Sequence, residues 1–173
     1  SMIRVKAGKR KVVASALTFC FFLQQSFCLQ VMATTITGIE GNNGIFNIDP
    51  SAINGDIGFR KYKDFDLSAG DIANLIFHNS TKGQDISTFI NLVDNQINIQ
   101  GIVNSVSKNG DFTNGNVVFV SPNGMIVGSS GVLNVGSLSV MTPDSEAYEK
   151  YKSDLSRPSL IKDWESKLSA PGT

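Results

Sequence analysis

The stretch from Asn114 to Pro143, NGNVVFVSPNGMIVGSSGVLNVGSLSVMTP, restricts this chain more than any other. It has no charged side chain, is dense in glycine and valine, and keeps a beat. Phe119, Ile126, Leu133 and Val140 stand seven residues apart, and Val118, Met125 and Val132 repeat the step one place earlier, with Gly124 and Gly131 at the corners. A seven-residue step raises the coiled coil. Glycine and β-branched residues, however, fill positions where a helix needs Ala, Leu, Glu or Lys. The step therefore reads as short strand, corner, short strand, each apolar pair landing on the next face of a coil. Three such units make a turn of about 21 residues, one rung of a stacked solenoid.

The preceding residues agree with an all-β chain of short strands. Asn-Gly recurs at Asn43-Gly44, Asn54-Gly55, Asn109-Gly110, Asn114-Gly115 and Asn123-Gly124, the composition of a chain that turns often. Phe59, Phe65 and Leu67 alternate with polar residues as in a half-buried strand. Further strands are expected over Asp71 to Phe77, Thr88 to Val93 and Gln96 to Val106, with polar turns over His78 to Ser87 and Ser107 to Gly115. Val117 to Val120 is apolar on both faces, and a coil interior covers only one. The other face needs a cover outside the coil, for which Lys108 to Asn116 or the Phe59 to Leu67 strand is a candidate. After Pro143 the composition turns charged. Tyr148, Tyr151, Leu155, Leu160, Ile161, Trp164 and Leu168 keep spacings of three and four, which predicts two short amphipathic helices broken at Arg157-Pro158. They would pack on the solenoid's side or cover its end.

Residues 1–33 have the pattern of a secretory leader. Arg4, Lys6, Lys9, Arg10 and Lys11 precede the apolar run Val12 to Leu23, too short to span a bilayer, and small residues near Ala33 suit cleavage after it. A retained leader is expected to be helical or poorly ordered. Cys20 and Cys28 lie inside it, so the remaining chain has no cysteine and cannot rest on disulfides. Without the leader, 10 basic stand against 15 acidic side chains, a net of −5, which speaks against a nucleic-acid partner. Ser1 ahead of Met2 reads as a residue left by a tag, and the chain as part of a longer protein. Three segments follow: 1–33 the leader, 34–143 the β-helix, 144–173 a charged, helical extension.

Residue types that carry chemistry are thin. His78 is the one histidine, without a cysteine or second histidine nearby for a metal or triad. Asp64 and Asp66 share a strand face, and Asp71 and Asp85 are close in sequence, but none lies in the repetitive rungs where a carbohydrate groove would form. Arg60 and Arg157 are the arginines outside the leader. The glycines at 124, 128 and 131 lack the helix and Lys-Ser/Thr pair of a phosphate loop. No catalytic, metal or cofactor residue is therefore assigned. Ser121-Pro122-Asn123-Gly124-Met125 remains: Pro122 ends a strand, Asn123-Gly124 can take positive φ, and Met125 starts the next strand.

The run NGNVVFVSPNGMIVGSSGVLNVGSL is similar to the Asn-Pro-Asn-Gly-Ile region of the two-partner secretion (TPS) domain of filamentous haemagglutinin-type exoproteins, with Ser121 in place of the first Asn and Met125 in place of Ile. NGIFNI, FRKYKDFDLSAGDIANLIF and FINLVDNQINIQGIV resemble that family's earlier strands in the same order, so the likeness covers Ile36 to Pro143. It implies a right-handed, single-stranded parallel β-helix with an amphipathic N-terminal cap and extra-helical β elements. It also implies a secretion-targeting role in a large adhesin or other exoprotein, without enzymatic activity. The partner would be a dedicated outer-membrane β-barrel transporter of the TpsB type, acting through its periplasmic domains. The protein would be a monomer, exported through the inner membrane and then released or held at the cell surface, where a downstream region meets the host. Ser121, Pro122, Asn123, Gly124 and Met125 carry the motif, with Asn74 and Leu75 as a second recognition candidate. The competing expectations are an adhesion module binding host glycan or protein, and a β-helix polysaccharide-degrading enzyme.

Overall fold

A computed structural model describes residues 2–6, 12–13 and 33–153. Cys20, Cys28, most of the apolar run Val12 to Leu23 and the second expected helix lie outside the described residues. The chain contributes β1 (Met2–Lys6), β2 (Val12–Val13), β3 (Thr35–Ile36), β4 (Ile45–Ile48) and β5 (Ala52–Asn54), and then enters a coil of three strands per turn. The first turn is β6 (Ile57–Tyr62), β7 (Phe65–Leu67) and β8 (Ile72–Ile76), followed by a short hairpin of β9 (His78–Asn79) and β10 (Gln84–Asp85). The second is β11 (Thr88–Val93), β12 (Ile97–Ile99) and β13 (Ile102–Val106). The third is β14 (Asn116–Val120), β15 (Met125–Val127) and β16 (Val132–Asn134), after which β17 (Ser137–Met141) starts a fourth and leads into helix α1 (Ser145–Ser153).

Like strands stack in parallel: β6, β11, β14 and β17 in one sheet, β7, β12 and β15 in a second, β4, β8, β13 and β16 in a third. The fold is a parallel β-helix of about three turns. The rung inferred from the beat is the third: Asn116 pairs with Ser137, 21 residues on. The earlier rungs are longer, Ile57 pairing with Thr88 and Thr88 with Asn116, because the β9–β10 hairpin and the 107–115 loop are inserted at the same corner. The stretch expected as one strand over Gln96 to Val106 is two, since Gly101 turns a corner between β12 and β13. The Phe59 to Leu67 strand is likewise split between β6 and β7.

Alternation decides what each face holds. Val117 and Phe119 point into the coil with Phe65, Phe89, Leu67, Ile97, Ile99, Val103 and Leu133, all without solvent exposure. Phe65 sets its edge against Phe119 and Tyr62, each at 5.3 Å between ring centroids. Each such side chain contributes about 1.5–3 kcal/mol of burial. The seven-residue beat marks the change of face, but not always the inward side: Phe119 and Leu133 are buried, whereas Ile126, on the outer side of β15, is 49% exposed.

Val118 and Val120 point outward and are still fully buried, as the doubly apolar strand requires. Their cover is not the 108–116 loop or the Phe59 strand. Phe59 lies beside them on the same outer face, with Ile57, Ile90, Leu92 and Met141, and α1 lays Tyr148, Tyr151 and Ala147 over the group. Asp144 begins α1, its carboxylate accepting the Ala147 N–H at 2.8 Å.

The two ends of the coil differ. At the first, residues 34–54 close over the core. Asn43 (φ 51°) and Gly44 (φ 77°) make a two-residue turn with reciprocal Asn42–Ile45 bonds, β3 and β5 pair antiparallel with β7 and β6, and Ile36 and Ile48 are buried beneath them. At the other, β1 pairs antiparallel with β17 over five residues, and β2 with β16 over two. The expectation of a helical or poorly ordered leader is thus corrected for residues 2–6 and 12–13, which are strands. An alternating run such as Met-Ile-Arg-Val-Lys suits an edge with unpaired backbone groups better than a helix would.

Candidate functional site

The Ser121–Met125 segment turns the corner from β14 to β15. Gly124 N–H donates to the Ser121 carbonyl at 3.2 Å, with Pro122 at the second position of the turn, where its fixed φ fits. Ser121 Oγ accepts the Asn123 N–H at 3.1 Å and donates to the Asn95 carbonyl of the rung before at 2.9 Å. Asn123 Nδ2 donates to the Asp94 carbonyl at 2.8 Å. Of the Asn123-Gly124 pair only the glycine takes positive φ, at 75°. Ser121 is buried, Pro122, Gly124 and Met125 are half-buried, and the Asn123 side chain is exposed.

Corners stack on corners. Asn95 Nδ2 donates to Asp64 Oδ1 at 2.8 Å, and the Asp64 N–H donates to Thr37 Oγ1 at 2.9 Å, so one polar column runs from the first cap through all three rungs. Asp94 is its hub. Beside its carbonyl bond to Asn123, its carboxylate accepts from Tyr148 Oη at 2.8 Å and Lys152 Nζ at 3.0 Å, which ties α1 to the corner. The hydrogen bond to Asp94 is the main cause that holds the Lys152 ammonium above its ordinary range. Burial, then the bond to Asp94, pushes the Tyr148 phenol above its ordinary range. Asp94 was not singled out in the sequence. Its signal is register: Leu92 pairs with Val120, so Asp94-Asn95 stand where Pro122-Asn123 stand one rung later.

Asn74 and Leu75, the second recognition pair, point to opposite faces. Leu75 is fully buried in the coil. Asn74 lies on the outer face of β8, inside a ladder that the strand readings did not reveal. Asn74 Nδ2 donates to Asn47 Oδ1 at 3.0 Å, Asn104 to Asn74 at 3.0 Å, and Asn134 to Asn104 at 2.9 Å. The two candidate groups are therefore on different sheets and do not form one site.

The carboxylates considered for hydrolysis serve the stack. Asp66 accepts from Asn98 Nδ2 at 2.6 Å and Asp71 from Thr34 Oγ1 at 2.6 Å. Asp85 meets His78 Nδ1 at 2.7 Å across the β9–β10 hairpin. Arg60 donates to the Asp49 carbonyl at 2.9 Å. Among the described residues no three His, Cys, Asp or Glu side chains gather as metal ligands. A cleft of about 250 Å³ opens between the hairpin and the 107–113 loop, floored by Phe77 and Ile86 and rimmed by Asp85, Lys108 and Thr113.

The geometry defines a parallel β-helix whose polar groups are spent on joining rung to rung. No protein-family model, curated protein or solved structure matches this chain.

Proposed function

We propose that this chain is the secretion-targeting domain of a large exoprotein, recognised in the periplasm by a cognate outer-membrane β-barrel transporter of the TpsB type. One observation carries the reading: the blocks that resemble the two-partner secretion family fall, in order, on successive strands of the coil. NGIFNI holds β4, FRKYKDFDLSAGDIANLIF runs from within β6 through β8, FINLVDNQINIQGIV runs from within β11 to the start of β13, and NVVFVSPNGMIVGSSGVLNVGSL runs from β14 into β17. The resemblance thus follows the repeat of the fold instead of one short motif.

The architecture suits the task physically. A solenoid whose rungs contact only their neighbours can nucleate at one end and propagate. The closed first end supplies a nucleus, and each polar column sets the register of the next rung. With Cys20 and Cys28 in the leader, residues 34–173 have no disulfide that would lock them before translocation. In this reading the Ser121–Met125 corner fixes where the third rung begins, and its exposed Asn123 side chain is the part a partner can reach. Isothermal calorimetry with the periplasmic domains of the transporter encoded beside the protein tests the proposal. Saturable binding at micromolar concentration or tighter is expected, and absence of heat at tenfold higher concentration would overturn it.

A further inference from the structure

We infer that β1 is an intramolecular plug, and that it withholds the coil's open edge from a second copy of this chain. The strand it covers is unprotected by composition. Ser137-Leu138-Ser139-Val140-Met141 has no charge and no proline, the two devices that ordinarily blunt an edge. β1 pairs with all five residues, Met2 opposite Met141 through Lys6 opposite Ser137. It thereby becomes the outermost strand of that sheet among the described residues.

Direction identifies the competitor. Strands β6, β11, β14 and β17 of this sheet stack in parallel, but β1 is antiparallel to β17, so it ends the coil instead of extending it. An edge that accepts an antiparallel strand also accepts β17 of a twofold-related copy, because an isologous pair of edge strands is antiparallel. Centred on Ser139, such a pair sets Leu138 opposite Val140 and Ser137 opposite Met141, apolar against apolar and hydroxyl against thioether, with no like charges facing. The same row of N–H and C=O groups cannot serve both partners, so β1 and the second copy exclude each other. A chain cut after Ala33 loses β1 and β2 together.

Sedimentation velocity over a concentration series tests this on the full chain and on an Ile3→Pro/Arg4→Pro variant, in which adjacent prolines remove an edge donor whichever residue supplies it. The unaltered chain should stay monomeric. The variant, folded by circular dichroism, should show at least tenfold more dimer at equal concentration. A folded variant that stays monomeric throughout overturns the inference. Amide hydrogen exchange on the unaltered chain provides the second measurement, decisive also where the variant does not fold. Amides of Met2–Lys6 on the bonded side should be protected together with those of Ser137–Met141, and free exchange of all Met2–Lys6 amides overturns the plug.

Discussion

Asn104 carries two ladder bonds at once, donating to Asn74 and accepting from Asn134, while its side chain is nearly buried. Asn104→Ala leaves two partners unmatched and should cost about 1–3 kcal/mol, whereas Asn47→Ala, at the exposed end of the ladder, should cost about 1 kcal/mol or less. Urea midpoints of the two variants check this, and no loss for Asn104→Ala would show that the ladder does not stabilise the fold. Gly124 is the other residue with a clear outcome. At φ 75° a side chain is strained, so Gly124→Ala should destabilise by about 1–2 kcal/mol with Asn123 unchanged in identity. Both features were open to reading in the sequence to different degrees. Gly124 was legible because an Asn-Gly pair after a proline has few conformations. The ladder is harder to read, although Ile45-Phe46-Asn47, Ile72-Ala73-Asn74, Ile102-Val103-Asn104 and Val132-Leu133-Asn134 repeat one tripeptide pattern. Its members stand 27, 30 and 30 residues apart, a longer period than the 21-residue rung implied by the seven-residue beat, so the beat does not point to it.

At the scale of elements, α1 acts as the cover of one outer face. Tyr148 is 1% exposed and contributes both ring area and a bond to Asp94. Tyr148→Phe should cost about 1 kcal/mol, and Tyr148→Ala about 3–5 kcal/mol with exposure of Val118 and Val120. Thermal unfolding gives the cost, and binding of a hydrophobic dye that rises only in the alanine variant gives the exposure. Two phenols also set an alkaline limit. Burial pushes Tyr62 and Tyr148 above the usual value near 10, Tyr148 further through Asp94. The unfolded chain releases these protons near pH 10 while the folded chain keeps them. Their stabilisation is therefore complete below pH 10 and declines above it, by about 1.4 kcal/mol per pH unit per phenol. The Tyr62→Phe/Tyr148→Phe variant should flatten that slope in urea titrations between pH 9.5 and 11. The need for a cover followed from the two-sided apolar run Val117–Val120. Its identity did not, because spacing within a helix shows which residues share a face but not which distant strand that face meets.

For the whole molecule, the coil was the most legible level. Corner glycines and β-branched runs exclude a helical bundle, and a rung of 21 residues appears where no insertion interrupts it. The antiparallel strand β1 was the least legible. Its basic and apolar residues match a secretory leader, and composition alone does not express that the same alternation fits an exposed strand edge. The central claim concerns what this coil is for, and one export measurement tests it most directly. A full-length exoprotein with or without residues 34–143 would be produced alongside its β-barrel transporter, and the culture medium assayed. Secretion of the intact protein only when the transporter is present, with loss of secretion on removing residues 34–143, is the predicted result. Secretion that continues without those residues, or without the transporter, would contradict the account.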